Sequence, residues 1–440
     1  MTAALKYWQT MSPTERNKTL ERPAISNNET IAAQANDIIS EVRRNGDSAL
    51  LEYTRRFDRC ELESLRVSDE EFLFAEDTLS NTVKQAIDIA ITNVRAVHLA
   101  QIPPETSVDV QAGVRCERHN RAIDAVGLYV PSGSAPLPST AIMLGVPASV
   151  AACPTRIVCT PASEDGTVHP ATLYAARKSG VTEVFKIGGA QAIAAMAFGT
   201  DSVPKVNKIF GPGNAWVTAA KRIVANDYAG AAIDMPAGPS EVMVIADAGA
   251  NPSFAAADLL AQAEHGIDSQ VLLVTDSEQV ANAVVQEIEA QIRGLSRNRT
   301  IRQALEHSHI LVVENIKEAL DVCNDYAPEH LILLVDEPRS ILAGVVNAGA
   351  VFIGPYSPES AGDYCSGANH VLPTYGAAKY ISGLGVEQFM RQISVQELSR
   401  NGLAALAPTI EALATAEGLD AHAAAVRIRL AQSSNRGAIA

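Results

Sequence analysis

The chain has 440 residues, more than one compact core accommodates, which implies two large domains with smaller pieces attached. Hydrophobic residues make up 47% and charged residues 19%, enough apolar material for well-buried α/β cores and too much for extensive disorder. Thirty-five Lys and Arg against fifty Asp and Glu give a formal charge of -15, which argues against nucleic acid or an anionic membrane as partner and favours small ligands.

The opening Met-Thr-Ala-Ala-Leu-Lys-Tyr-Trp has no basic stretch followed by an apolar one, and no later run approaches a membrane span, so a cytoplasmic protein is expected. The six cysteines (60, 116, 153, 159, 323, 365) lack CxxC spacing, which indicates neither a disulfide framework nor a zinc knuckle, and most of them read as buried thiols.

Residues 1–25 are polar, contain Pro13 and Pro23, and are expected to form an N-terminal arm outside the core. From Asn28, the spacing of Ile31, Ile38, Ile39 and Val42 predicts a helix closed by Asn45-Gly46, and a second long helix is predicted from about Asp69 to Leu99. Gln101-Ile-Pro-Pro104 breaks it, and the alternation from Ser107 reads as extended chain.

From Ala125, short apolar runs alternate with Ala-rich segments of helical length, the signature of a parallel sheet. Predicted strands are Ala125–Val130, Arg156–Thr160, Glu183–Ile187 and Lys208–Phe210. Glycine-rich turns follow at Pro131-Ser-Gly-Ser-Ala, Gly188-Gly-Ala-Gln191 and Gly211-Pro-Gly-Asn214, the edge where such sheets bind ligands. No GxGxxG follows a strand, so the glycines read equally as nucleotide-binding turns or as tight strand-to-helix packing. A second alternation begins after Ile233 to Ser240, with strands predicted at Glu241–Ala246, Gln270–Thr275, Ser308–Val313, His330–Val335 and Ala350–Ile353. Beyond Gly354 the strand pattern gives way to a Gly, Ser and Pro-rich loop and a helical tail, in which Gly418 ends one helix and Asp420 caps the next.

Asp258-Leu-Leu-Ala-Gln262-Ala-Glu264-His265-Gly266 reads as the end of a helix with Gly266 as its left-handed stop, which puts Gln262 and His265 on one face. An amide oxygen and a neutral imidazole there can ligate one metal ion. Ala327-Pro-Glu329-His330 offers an adjacent acid/base pair on a backbone restrained by Pro328. The loop Ser360 to His370 holds Asp363 and His370 among small residues, and His422 falls in a first helical turn, where the dipole favours the neutral ring. Gln262, His265, Asp363 and His422 together make a ligand set without sulfur that suits zinc and tolerates cobalt or manganese. Histidines 98, 119, 169, 307 and 309 lack such partners and read as structural or solvated.

Over nearly its whole length the chain resembles the histidinol dehydrogenase family. The resemblance is carried by Gly127-Leu-Tyr-Val-Pro with Gly133-Ser-Ala-Pro-Leu, Gly211-Pro-Gly-Asn214, Asp234-Met-Pro-Ala-Gly-Pro-Ser240-Glu-Val, Asp258 through Gly266, Ala327-Pro-Glu329-His330-Leu, and Ser366-Gly367 with Asn369-His370-Val-Leu-Pro-Thr. It implies an α/β fold of two incomplete Rossmann-like domains, related to the aldehyde dehydrogenases, with small arm-like terminal segments, and a homodimer with shared active sites. The expected division is an arm (1–25), a first α/β domain with the metal and catalytic residues (26–128 and 240–382), a second, NAD-binding domain (129–239), and a helical tail (383–440) contributing to the partner's site.

By the same resemblance Gln262, His265, Asp363 and His422 are the zinc ligands, with His422 supplied by the partner subunit. Ser240, Glu329, His330, His370 and Glu417 join them around the substrate, and Tyr129, Gln191 and Asn214 line the NAD site. The implied reaction takes L-histidinol to L-histidine through bound L-histidinaldehyde with two NAD, the last step of histidine biosynthesis. Zinc orients the substrate, His330 is the base and Glu329 activates water. Ser132, Cys365 and Ala368 depart from the family's usual residues, and Ser132 leaves the cofactor turn less well matched. Three rivals stay open: an aldehyde dehydrogenase with Cys116 or Cys153 as nucleophile, a zinc hydrolase, and a noncatalytic metal- and nucleotide-binding scaffold.

Overall fold

A computed structural model describes residues 4–23, 28–132, 135–235 and 238–431. Gly133, in the expected cofactor turn, lies outside them. In chain order the strands are β1 (Ala4–Tyr7), β2 (Thr106–Gln111), β3 (Val114–Ala122), β4 (Ala125–Tyr129), β5 (Thr155–Thr160), β6 (Glu183–Lys186), β7 (Lys208–Phe210), β8 (Ala232–Ile233), β9 (Glu241–Ala246), β10 (Gln270–Thr275), β11 (His309–Val312), β12 (His330–Leu334), β13 (Ala350–Ile353) and β14 (Met390–Leu398). They fall into two units: Met1–Gln101 with Ile123–Phe389, and Ile102–Ala122 with Met390–Ala440.

The first unit holds two parallel sheets, one ordered β6-β5-β4-β7-β8 and the other β1-β11-β10-β9-β12-β13. Renumbered within each half, and setting β1 aside, both orders become 3-2-1-4-5, the doubly wound order without its sixth strand. The two incomplete Rossmann-like halves are thus present. Strands β9, β10 and β12 are buried at every residue, which is why they read in sequence as continuous apolar runs rather than as alternating ones.

Several details depart from expectation. Residues 4–7 are no free arm: β1 adds an edge strand beside β11, and Trp8 is 5% exposed within the core of that half. The helix Asn28–Asn45 packs through Ala35, Ile38, Ile39 and Val42 into the core of the five-stranded sheet, so the helical lead-in goes with that half rather than with the six-stranded one. The long helix is two, Asp69–Thr78 and Asn81–Ala100, because the Ser80 side chain accepts from the Val83 N–H and starts a new helix.

The second unit is an antiparallel sheet ordered β14-β3-β2 followed by helices Arg400–Ala416 and Asp420–Ala431. The tail expected to be helical therefore contains a nine-residue strand. Its side chains are exposed on nearly every position, so no apolar alternation marks it. Gly418, at φ +69, closes the first helix as expected. Among the described residues, no helix is long and apolar enough to cross a membrane.

Where β8 leaves the five-stranded sheet, a buried ion pair ties three segments. Lys221 Nζ donates to Asp234 Oδ1 and to the carbonyls of Gly211 (2.9 Å) and Met235 (3.3 Å), while Asp234 Oδ2 accepts the Gly211 N–H at 2.8 Å. Both side chains are almost wholly buried, at 4% and 0%. Lys221→Met leaves the Asp234 carboxylate without its counter-ion, and the expected loss is about 3–5 kcal/mol of unfolding free energy, read as a lower denaturant midpoint. Lys221→Met with Asp234→Leu should lose less than the single change; an equal or larger loss would show that the pair is not mutually dependent.

Candidate active site

The parallel halves present different edges. β8 ends at Ile233 on the C-terminal edge of its sheet, and β9 starts at Glu241 on the N-terminal edge of the other. Residues 234–240 connect them, a link that spans roughly 25 Å at most when fully extended. Ser240, half-buried, closes this link, and its carbonyl accepts the Gln270 N–H at 3.2 Å.

His330 opens β12 beside β9 and is 3% exposed. Its Nδ1 donates to the Glu241 carbonyl at 3.0 Å, which fixes the tautomer and leaves the Nε2 lone pair free. Burial, against a helping bond from that carbonyl, pushes the ring down to about 3, so it stays neutral. Glu329, 6% exposed, accepts the Glu241 N–H at Oε2 (2.8 Å), and burial holds its carboxyl well above the usual range. One backbone residue thus fixes both members of the acid/base pair.

The helix carrying Gln262 runs from Pro252 to Ala263 and ends in an ordinary right-handed cap at Glu264. Gly266 is not left-handed, and His265 lies just past the helix, where its N–H donates to the Gln262 carbonyl at 3.2 Å. The two side chains meet nonetheless. The orientation of the Gln262 amide follows from the Glu359 carboxyl: its nitrogen donates to Glu359 Oε2 at 3.1 Å, and makes no bond to His330 Nδ1, 3.1 Å away, whose own proton goes to the Glu241 carbonyl. Its oxygen then lies 3.4 Å from His265 Nδ1. Two ligands of a tetrahedral zinc, each about 2.1 Å from the ion, stand about 3.4 Å apart.

Asp363 completes this side. Its Oδ2 is 3.9 Å from His265 Nε2 and its Oδ1 3.9 Å from His330 Nε2, and ligand atoms of His265, Glu359 and Asp363 all lie within 4.8 Å of one another. His370 Nδ1 donates to the Asp363 carbonyl at 2.9 Å, and burial pushes its ring down to about 4.

Glu359 was not signalled by the sequence, where it looks like an ordinary acidic first-turn residue after Pro358. It is 1% exposed, and its carboxyl is driven well above the usual range by burial and then by the neighbouring carboxyls of Asp363, Glu329 and Asp258. Asp258 itself is pushed up to about 7, chiefly by burial. Buried acids crowded against neutral imidazoles, with an amide oxygen turned inward, are a donor set that a divalent cation would satisfy. Gln262, His265 and Asp363 therefore fit a zinc ion. Glu417 caps the helix Arg400–Ala416 and His422 lies in the first turn of Asp420–Ala431, both in the second unit.

At the five-stranded sheet, Tyr129 ends β4, Gln191 lies in the first turn of the helix after β6, and Asn214 caps the helix after β7. Tyr129 and Asn214 thus flank the strand-order reversal between β4 and β7, where doubly wound sheets bind ligands, while Gln191 follows the edge strand β6. Tyr129 and Gln191 are buried; the Tyr129 hydroxyl accepts the Gly189 N–H at 3.0 Å, and Asn214 Oδ1 accepts from the N–H groups of Trp216 and Val217. Packing alone accounts for Gly211: at φ +116, a Cβ there would lie 2.2 Å from the Tyr129 carbonyl oxygen.

The cysteine rival finds little support. Cys153 is buried, its thiol donates to the Phe389 carbonyl, and burial pushes it up to about 11, the opposite of an activated nucleophile. Cys116 lies on β3 in the second unit.

A family model described as histidinol dehydrogenase matches residues 20–430. The histidinol dehydrogenase of Vibrio parahaemolyticus is 52% identical over 96% of this chain and 97% of its own length. That of Yersinia pestis is 51% identical over 97% of this chain and 96% of its own. The crystal structure of histidinol dehydrogenase from Elizabethkingia anophelis superposes with a TM-score of 0.94 at 42% identity, covering 97% of this chain and 98% of that one.

The His370 ring titrates near 4 in the folded protein, below its ordinary value, so between that point and about 6.5 the unfolded chain binds the extra proton. Stability is therefore lost as pH falls through this window. In the metal-free protein the parent should lose on the order of 1–3 kcal/mol more than His370→Asn between about pH 7 and about pH 4.5, measured by denaturant midpoints. Parallel curves would show that the ring is not held neutral.

Proposed function

The chain belongs to the histidinol dehydrogenase family, and from that premise we propose that it oxidises L-histidinol to L-histidine through bound L-histidinaldehyde, with two NAD, as the last step of histidine biosynthesis. The observation that carries this reading is the arrangement around Glu241: a buried, neutral imidazole with a free Nε2 beside a buried carboxyl, both next to a cluster suited to a divalent cation.

Gln262, His265 and Asp363 would hold zinc, with His422 of the partner subunit as fourth ligand. The bound ion supplies orientation of the substrate's amine and imidazole rather than acid/base chemistry. His330 Nε2 takes the hydroxyl proton as the first hydride leaves for NAD. Glu329, whose affinity for protons is raised by burial, helps water add to the aldehyde carbon. His330 again takes the proton when the second hydride leaves the hydrate. Ser240, His370 and Glu417 are assigned to the substrate, and Tyr129, Gln191 and Asn214 to NAD. The working form is a homodimer with shared sites.

With limiting L-histidinol, excess NAD and zinc, two NADH should form per histidinol consumed. One would mean that turnover stops at the aldehyde and that the role given to Glu329 is wrong; none, from folded and metal-loaded protein, would overturn the reading. His330→Asn should lower kcat by about a hundredfold to ten-thousandfold while Cys153→Ser and Cys116→Ser stay near the parent. For the shared site, mixing inactive His265→Ala and His422→Ala protomers should restore one intact site per heterodimer, and absence of recovery would count against the crossing.

A further inference from the structure

Beneath the Glu329 and His330 pair lies a cation that neither the motifs nor the proposed chemistry uses. Arg22 follows the helix Pro13–Thr19 and is part of the segment expected to be a free arm. Its guanidinium is forked onto the Glu241 carboxylate, Nε to Oε1 at 2.6 Å and Nη2 to Oε2 at 2.9 Å, with side-chain exposures of 14% and 2%. The same Nη2 donates to the Tyr326 carbonyl at 2.8 Å and to the Ala327 carbonyl at 3.3 Å, and the guanidinium lies over the Tyr326 ring, 3.9 Å from its centre.

Each of these partners bears on the acid/base pair. Ala327 adopts left-handed backbone angles, φ +55 and ψ 70, which a residue with a Cβ keeps only where its surroundings over-determine it. Two residues further on the chain presents Glu329 and then His330. Glu241 gives its side chain to Arg22 and its main chain to the pair: its N–H to Glu329 and its carbonyl to His330. Glu241 Oε1 also accepts the Tyr375 N–H, and the Tyr375 hydroxyl donates to the Pro23 carbonyl, so the residue after Arg22 is held as well.

We propose that Arg22 is a positioning residue: by clamping the Glu241 side chain and the Tyr326 and Ala327 carbonyls together, it sets the backbone geometry that aims Glu329 and His330 at the substrate. The proposal rests on the reading that this pair transfers the protons. It also gives the N-terminal segment a role, since β1 and the helix Pro13–Thr19 are what deliver Arg22 to this point. A lysine keeps the charge but cannot fork onto the carboxylate and reach the carbonyls at once.

The test compares the zinc-loaded parent with Arg22→Lys and, as a substitution that preserves shape, Glu241→Gln. Two quantities are read: steady-state kinetics with L-histidinol and NAD, and hydrogen–deuterium exchange of the peptide spanning residues 324–331. Arg22→Lys should lower kcat per folded molecule at least tenfold with the KM for NAD within twofold, and exchange in that peptide should quicken at least tenfold against unchanged strands β9 and β10. The double substitution should be no worse than about the worse single one. Kcat within twofold of the parent, a loss carried by the KM for NAD, or unchanged exchange in the peptide would overturn the proposal. Should Arg22→Lys not fold, Glu241→Gln decides by the same criteria. A parent that does not oxidise histidinol would sink the functional reading, while the exchange comparison would still decide whether Arg22 holds this turn.

Discussion

The main chain of Glu241 is the constraint on which the site depends. Its N–H and its carbonyl would, in a regular strand, pair only with neighbouring strands, yet here they hold a carboxyl and an imidazole. That is feasible because Glu241 is the first residue of β9 and His330 the first of β12, so the ladder between them is only beginning. Neither side chain meets enough water to ionise freely, and both are held near neutrality by burial. A site of this kind is fixed by backbone rather than by mobile side chains, which keeps the groups within the narrow tolerance that proton transfer requires.

The two α/β halves share one strand order and use opposite ends of it. In the five-stranded half, Tyr129, Gln191 and Asn214 follow strand C-termini, the ordinary place for a ligand in such sheets. In the six-stranded half, Glu329, His330, Gln262 and His265 gather where strands begin, because helices returning from the far edge end there. The link between Ile233 and Glu241 joins the C-terminal edge of one sheet to the N-terminal edge of the other, and the Lys221 and Asp234 pair anchors its start.

Much of this was legible in the sequence. Buried parallel strands write themselves as unbroken apolar runs, so β4 to β7 and β9 to β13 stand close to where periodicity puts them. Gln262 with His265, and Glu329 with His330, could be picked out because neighbours in sequence are neighbours in space. What could not be read are contacts made across the fold. Glu359 and Arg22 look like unremarked surface residues until a helix and an edge strand carry them inward. β14 escaped because both its faces are largely wet, and the stop assigned to Gly266 failed because the helix had already ended at Ala263.

The bond from His330 Nδ1 to the Glu241 carbonyl has one more consequence. A histidine with both nitrogens open can pass a proton through, receiving it on one side and releasing it on the other. This ring is a dead end: a proton that arrives on Nε2 has to leave from Nε2, on the side that faces Asp363. Any proton the ring takes up and gives back therefore passes through one atom. The direction of proton traffic at this ring is thus set by a single peptide carbonyl, with no moving part.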